Sequence, residues 1–167
     1  MRVTVIALLM SSLAFATPRA QAVLRNTEGK KMGTADFTAV DGGVRVTLKV
    51  KGLSPGPHGF HVHELGSCVA PEFKSAGGHF NPDEKKHGAA NPGGAHVGDL
   101  DNVTVDVKGD GTGEFLVLRA SLDSTPGGLL KKDGTSLVLH ADADDLKSDP
   151  AGNSGARIAC GVIRATK

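Results

Sequence analysis

An all-β domain, a sandwich or a barrel, follows from three features of the sequence. Short segments of alternating polar and apolar residues recur between turn clusters, glycine is abundant at 23 of 167 residues, and helix signals are weak. The length suits one domain. Two long irregular connections, residues 66–99 and 141–156, interrupt the strands and carry the unusual side chains.

The elements follow in order. Arg2 precedes an apolar run, Val3 to Ala16, too short to span a bilayer. Small residues then lead to Ala20-Gln21-Ala22, an A-x-A peptidase pattern, so residues 1–22 are expected to be a cleaved export signal and residues 23–167 the domain. The segment lacks cysteine, which argues against a lipid anchor, and no other apolar stretch is long enough to cross a membrane. Val23 to Asn26 is the first candidate strand. Met32 to Val40 and Val44 to Lys51 form a pair joined by Asp41-Gly42-Gly43, a hairpin signal because glycine supplies the positive φ of a tight turn. Gly59 to Glu64 is short and histidine-bearing. After the first long connection, Val103 to Val107 alternates, Gly109-Asp110-Gly111 turns, and Glu114 to Arg119 returns. Ser136 to His140 and Arg157 to Ile163 complete eight candidates.

Charge excludes several functions. Without Arg2 and Arg19, the 19 basic residues fall to 17 against 18 acidic, a balance that gives no footing for nucleic acid or an anionic membrane. Trp and Tyr are absent, so base-stacking platforms are missing as well. The two cysteines, Cys68 and Cys160, are an even count, which in an exported chain favours a disulfide over two buried thiols. Such a long-range closure would contribute about 4–5 kcal/mol in the chain-entropy picture.

Histidine carries the chemistry. Six of the seven histidines fall between positions 58 and 96, and the seventh is His140. His61 and His63, two apart on a strand, project from the same face and can grip one ion while Val62 turns to the other. His87 and His96 lie in the long loop, with Asp99 three residues on. Three imidazoles and a carboxylate can close a tetrahedral zinc site, and a largely imidazole set on the strand side suits copper. Ligation also explains how a 34-residue connection with seven Gly and three Pro stays ordered.

Several motifs then carry a resemblance: Gly59-Phe60-His61-Val62-His63-Glu64, Gly77-Gly78-His79-Phe80-Asn81-Pro82, Lys86-His87-Gly88, His96-Val97-Gly98-Asp99-Leu100, Leu139-His140 with Ala143-Asp144-Asp145-Leu146, and Gly155-Ala156-Arg157-Ile158-Ala159-Cys160-Gly161-Val162-Ile163. In order and local sequence the chain resembles the copper–zinc superoxide dismutases, of the bacterial exported type. The resemblance implies an eight-stranded Greek-key β-barrel with two long functional loops. It implies one copper per subunit on His61, His63, His79 and His140, and one zinc on His79, His87, His96 and Asp99. His79 would be shared between the two ions and Asp144 would link a copper-ligand histidine to a zinc-ligand one. His58 would be structural, and Asp145 a solvated or loop-bonding charge. Cys68 and Cys160 would form the internal disulfide that holds the loop and, through it, Arg157.

The implied reaction is disproportionation of superoxide to oxygen and hydrogen peroxide. Copper would cycle in charge, zinc would be structural, His79 would deliver a proton and Arg157 would attract the anion at the channel mouth. The implied address is the periplasm or the exterior, with superoxide as substrate, no nucleic-acid or membrane partner, and the choice between monomer and homodimer open. Lys147 to Gly155 is shorter than the charged guiding loop of eukaryotic relatives and lacks its paired glutamates. Which charges guide the anion is therefore open, with Lys74 and Lys147 as candidates. The competing function is a non-enzymatic extracytoplasmic copper and zinc buffer, which needs no copper site open to an anion.

Overall fold

The computed structural model describes residues 17–166. The first sixteen positions of the expected leader lie outside them. Ten strands form: β1 (Arg19–Asn26), β2 (Lys31–Val40), β3 (Gly43–Lys51), β4 (Gly56–His58), β5 (Phe60–His63), β6 (Val103–Val105), β7 (Asp110–Leu118), β8 (Ser136–His140), β9 (Arg157–Val162) and β10 (Arg164–Ala165). A single 3₁₀ turn, Lys74–Ala76, is the helical content of the described residues. The eight expected strands are all present. The two additional ones are short: β4 contains Pro57 and no apolar alternation, and β10 has two residues. β1 starts at Arg19, four residues before the expected Val23, so the Ala20-Gln21-Ala22 pattern lies inside it. β7 starts at Asp110, ahead of the expected Glu114, because its glycines Gly111 and Gly113 dilute the alternation.

All strands belong to one antiparallel sheet in the order β4-β6-β7-β3-β2-β1-β9-β8-β5, with β10 beside β1. The neighbours β3–β7 and β1–β9 are distant in sequence, the long connections of a Greek-key order. The two end strands, β4 and β5, are separated in the chain by Gly59 alone, which brings the sheet's edges together and nearly closes a barrel. The Gly59 N–H donates to Asp142 O at 2.8 Å, and the His140 N–H donates to Gly59 O at 2.9 Å.

The barrel interior is filled by Leu24, Phe37, Leu48, Phe60, Leu137 and Leu139, all fully buried and each contributing about 1.5–3 kcal/mol. β5 and β8 are buried on both faces. Phe60 and Val62 point into the core together with Leu137 and Leu139. His61, His63 and His140 point the other way, beneath the long loops. The first long loop is fastened there by main-chain bonds: Val62 N–H to Gly98 O (2.9 Å), Phe80 N–H to Val62 O (2.8 Å) and Glu64 N–H to Gly78 O (3.0 Å). Gly98 permits this approach, since a Cβ there would run into Val62 O. A small second cluster, Phe73, Ala76, Val138 and Cys160 with Cys68 against it, seats the loop on the outer face. The Cys68–Cys160 disulfide locks it there, with a Cα–Cα distance of 5.7 Å across a sequence separation of 92.

Candidate metal centre

Two sets of side chains converge between the outer face of the barrel and the long loops. His61 and His63 from β5, His140 from the end of β8 and His79 from the loop form one set. His79, His87, His96 and Asp99 form the other. Within each set the ligand atoms lie within 4.8 Å of one another. His79 belongs to both, and every ligand expected from sequence is brought in.

The nitrogen atoms are sorted by function. Buried and without any hydrogen-bond partner are His61 Nδ1, His63 Nε2, His79 Nε2 and His140 Nε2 in the first set and His87 Nδ1 in the second. An unpaired buried nitrogen costs about 1–3 kcal/mol, and four aimed into one space make a donor set that suits a cation. The opposite nitrogens are occupied: His61 Nε2 lies 2.6 Å from Asp144 Oδ2, His63 Nδ1 lies 3.0 Å from Gly77 O, and His79 Nδ1 lies 2.8 Å from Asp99 Oδ1. On the other side, Asp99 Oδ1 lies 3.1 Å from His87 Nδ1 and 3.0 Å from His96 Nδ1, and the His79 and His96 Nδ1 atoms are 3.4 Å apart. A tetrahedron with ligand bonds of about 2.0–2.1 Å has edges of roughly 3.3–3.4 Å, so this set fits zinc with little adjustment.

Asp144 joins the sets. Its two oxygens meet His61 Nε2 at 2.6 Å and His87 Nε2 at 3.0 Å, fixing both rings so that their Nδ1 atoms face the metal positions. The additional grouping of His61, His87 and Asp144 uses these outward nitrogens and is this link. Burial, reinforced by neighbouring rings, holds His63 well below the usual histidine range and pushes His140 down to about 3. Burial also pushes His79 down to about 4, against the pull of Asp99. These rings are neutral donors at neutral pH. Burial lowers His87 too, but its bonds to Asp144 and Asp99 outweigh this and raise it to about 9. Asp99, despite a desolvation that favours the protonated form, is held well below the carboxylate range by His79, His87 and the Gly88 N–H.

Comparison with known proteins agrees with this geometry. Residues 31–163 match the family described as Copper/zinc superoxide dismutase (SODC). The chain belongs to the copper/zinc superoxide dismutase family. It is 48% identical over 160 residues to Superoxide dismutase [Cu-Zn] 2 of Aquifex aeolicus, covering 94% of each chain. It is 43% identical to Superoxide dismutase [Cu-Zn] of Caulobacter vibrioides, covering 87% of this chain and 85% of that one. Among solved structures it is similar to a SOD-like protein from Bacillus subtilis (41% identity, TM-score 0.82, 85% and 96% of the two chains). It is also similar to the Cu/Zn superoxide dismutase from Brucella abortus (29% identity, TM-score 0.71, 87% and 99%). Copper and zinc are the cofactors of this family, and the two donor sets suit them.

Other residues singled out in the sequence lie around the two sets. Arg157 stands opposite His140 in the β8–β9 register. Its guanidinium donates to Phe73 O (2.9 Å) and Gly77 O (2.7 Å), both on the loop segment that follows Cys68. Gly77 O also receives His63 Nδ1, so one carbonyl holds Arg157 and His63 together. His58 is buried, with Nδ1 2.8 Å from His140 O and Nε2 2.8 Å from Ser54 O, a brace between β4 and β8. Asp145 accepts from the N–H groups of Lys147 and Ser148, a loop bonder. Of the two lysines considered, Lys74 pairs with Glu72 at 2.9 Å and Lys147 is exposed.

Two positioning residues escaped the sequence reasoning. Asn102 clamps the main chain of Asp144, donating to its O at 2.9 Å and accepting from its N–H at 2.8 Å. Asp149 accepts the His87 N–H at 2.6 Å and pairs with Lys86 Nζ at 2.8 Å. Both act through main-chain contacts that no residue pattern announces.

Proposed function

We propose that His61, His63, His79 and His140 hold copper, that His79, His87, His96 and Asp99 hold zinc, and that superoxide is disproportionated to oxygen and hydrogen peroxide at this centre. The observation that carries the reading is His79, with Nε2 unpaired among the first set and Nδ1 2.8 Å from Asp99 in the second. Bound copper supplies one-electron redox chemistry, and zinc, which has none, supplies a fixed charge.

The chain's own groups do the rest. In the loaded centre His79 Nε2 would be the proton-carrying atom, buried beside the reacting oxygen, taking up a proton and returning it to the reduced dioxygen. The opposite nitrogen sits in the second set with Asp99, so the ring does not turn away. Arg157, a half-buried permanent cation anchored at two carbonyls, binds and orients the anion.

The test is reconstitution. The protein loaded with both metals consumes superoxide, loses activity when copper is withdrawn and regains it when copper returns. Tight binding without turnover would instead establish a metal buffer.

An exported, periplasmic setting is supported by the disulfide, which persists in oxidising compartments, and by the apolar leader in the sequence. Among the described residues no helix is long and apolar enough to cross a membrane. Light scattering on the same preparation decides between monomer and homodimer.

A further inference from the structure

Strand β1 bears on where an export leader would be removed. The sequence holds two A-x-A patterns near its start, Ala14-Phe15-Ala16 and Ala20-Gln21-Ala22. Both satisfy a peptidase that requires small residues at the first and third positions before the cut. They differ in what a cut would do to the fold.

Residues Arg19 to Ala22 are the first half of β1, paired with β2 in the register Arg19↔Thr38, Ala20↔Phe37, Gln21↔Asp36 and Ala22↔Ala35. Ala20 and Ala22 begin the inward row that Leu24 continues, and both are buried in the barrel core. Pro18 O accepts the Ala39 N–H at 3.2 Å, and Arg19 O accepts the Thr166 N–H at 3.0 Å. The Gln21 side chain donates to Asp36 at 2.7 Å. β10 pairs with β1 only through Ala20 and Gln21. A cut after Ala22 would remove these residues, strip β10 of its partner, and uncover the N-terminal end of the core beside Phe37. A cut after Ala16 keeps all of it, the Pro18 bond to Ala39 included, and leaves Thr17 as an exposed overhang.

We propose that the leader is removed between Ala16 and Thr17, so that the mature chain begins Thr17-Pro18-Arg19. The reaction is hydrolysis by a signal peptidase: water adds across the Ala16–Thr17 peptide bond, leaving a carboxylate on Ala16 and an ammonium on Thr17. The proposal rests on the export reading given above.

The experiment expresses the full chain in an envelope-bearing bacterium, separates periplasm from cytoplasm, and reads the N-terminus by intact mass and terminal sequencing. A periplasmic protein starting at Thr17 is expected. A periplasmic protein starting at Val23, or anywhere else, overturns the site and leaves export standing. A chain retained in the cytoplasm with its leader overturns export itself, and the site with it. In the Ala16→Asp variant, a charge before the cut should make the precursor accumulate; mature protein of wild-type size would refute the assignment. As a second measurement, metal-loaded chains starting at Thr17 and at Val23 are melted side by side. The shorter is expected to melt roughly 10 °C lower, and equal melting would remove the structural argument.

Discussion

Asn in place of Asp144 separates the two metal sites by hydrogen-bond count. The carboxylate serves three donors: Oδ1 takes His87 Nε2–H (3.0 Å) and the Leu146 N–H (2.6 Å), and Oδ2 takes His61 Nε2–H (2.6 Å). In Asp144→Asn the single amide oxygen belongs where two donors meet, which turns the NH₂ toward His61. His61 is fully buried and has no other acceptor for that nitrogen. It must leave its N–H unpaired, or move the proton to Nδ1 and cease to be a ligand. A buried unpaired donor costs about 1–3 kcal/mol, equivalent to roughly 5- to 150-fold in affinity. Loss of the carboxylate charge weakens both sites, but the unpaired donor falls on the copper side alone. Copper affinity should therefore drop by that additional factor relative to zinc, whereas Asp144→Ala, which removes every acceptor, should weaken the two comparably. Equilibrium dialysis against graded chelators, with each metal counted by mass spectrometry, measures both. Equal losses of copper and zinc in the Asn variant would refute the reasoning.

Other expectations follow from the same contacts. Cys160→Ser opens a closure spanning 92 residues, which in the chain-entropy picture removes about 4–5 kcal/mol. Calorimetry should show melting lowered by roughly 10–20 °C, and a shift of a degree or two would contradict it. Arg157→Ala should lower the second-order rate with superoxide on the order of tenfold and flatten its dependence on ionic strength while metal content is unchanged; Arg157→Lys should fall between. The demetallated protein should be most stable near neutral pH. Burial pushes His79 and His140 down to about 4 and about 3. The unfolded chain takes up protons near 6.5, so stability is lost as pH falls from about 6.5 toward 3. His87, raised to about 9, acts oppositely: its contribution is full below about 6.5 and is lost as pH rises through 9. Melting temperature across pH 3–10 would expose a flat or monotonic profile, which this account does not allow.

Local pattern was enough for some of this molecule. Alternation located every long strand, because side chains on a strand change face at each residue and the core accepts only one face. Asp41-Gly42-Gly43 marked the β2–β3 hairpin, and Gly42 does adopt a φ of 81°. His61 and His63 announced themselves as a pair for the same period-two reason, and the residues that the motifs single out are the ones that converge in the two donor sets. Pairing across long separations was another matter. β4 has no apolar rhythm, yet it is the edge that meets β5 and nearly closes the barrel. The extent of β1 was hidden because Ala20 and Ala22 satisfy a peptidase pattern as well as they satisfy a small core row. Asn102 reaches Asp144 across 42 positions, and Asp149 reaches the His87 N–H across 62. Arg157 is held by carbonyls 84 and 80 residues away. A carbonyl or an N–H is present at nearly every position and carries no residue signature. Which one meets which side chain depends on the path of the loops, and that path exists only once the barrel has folded beneath them.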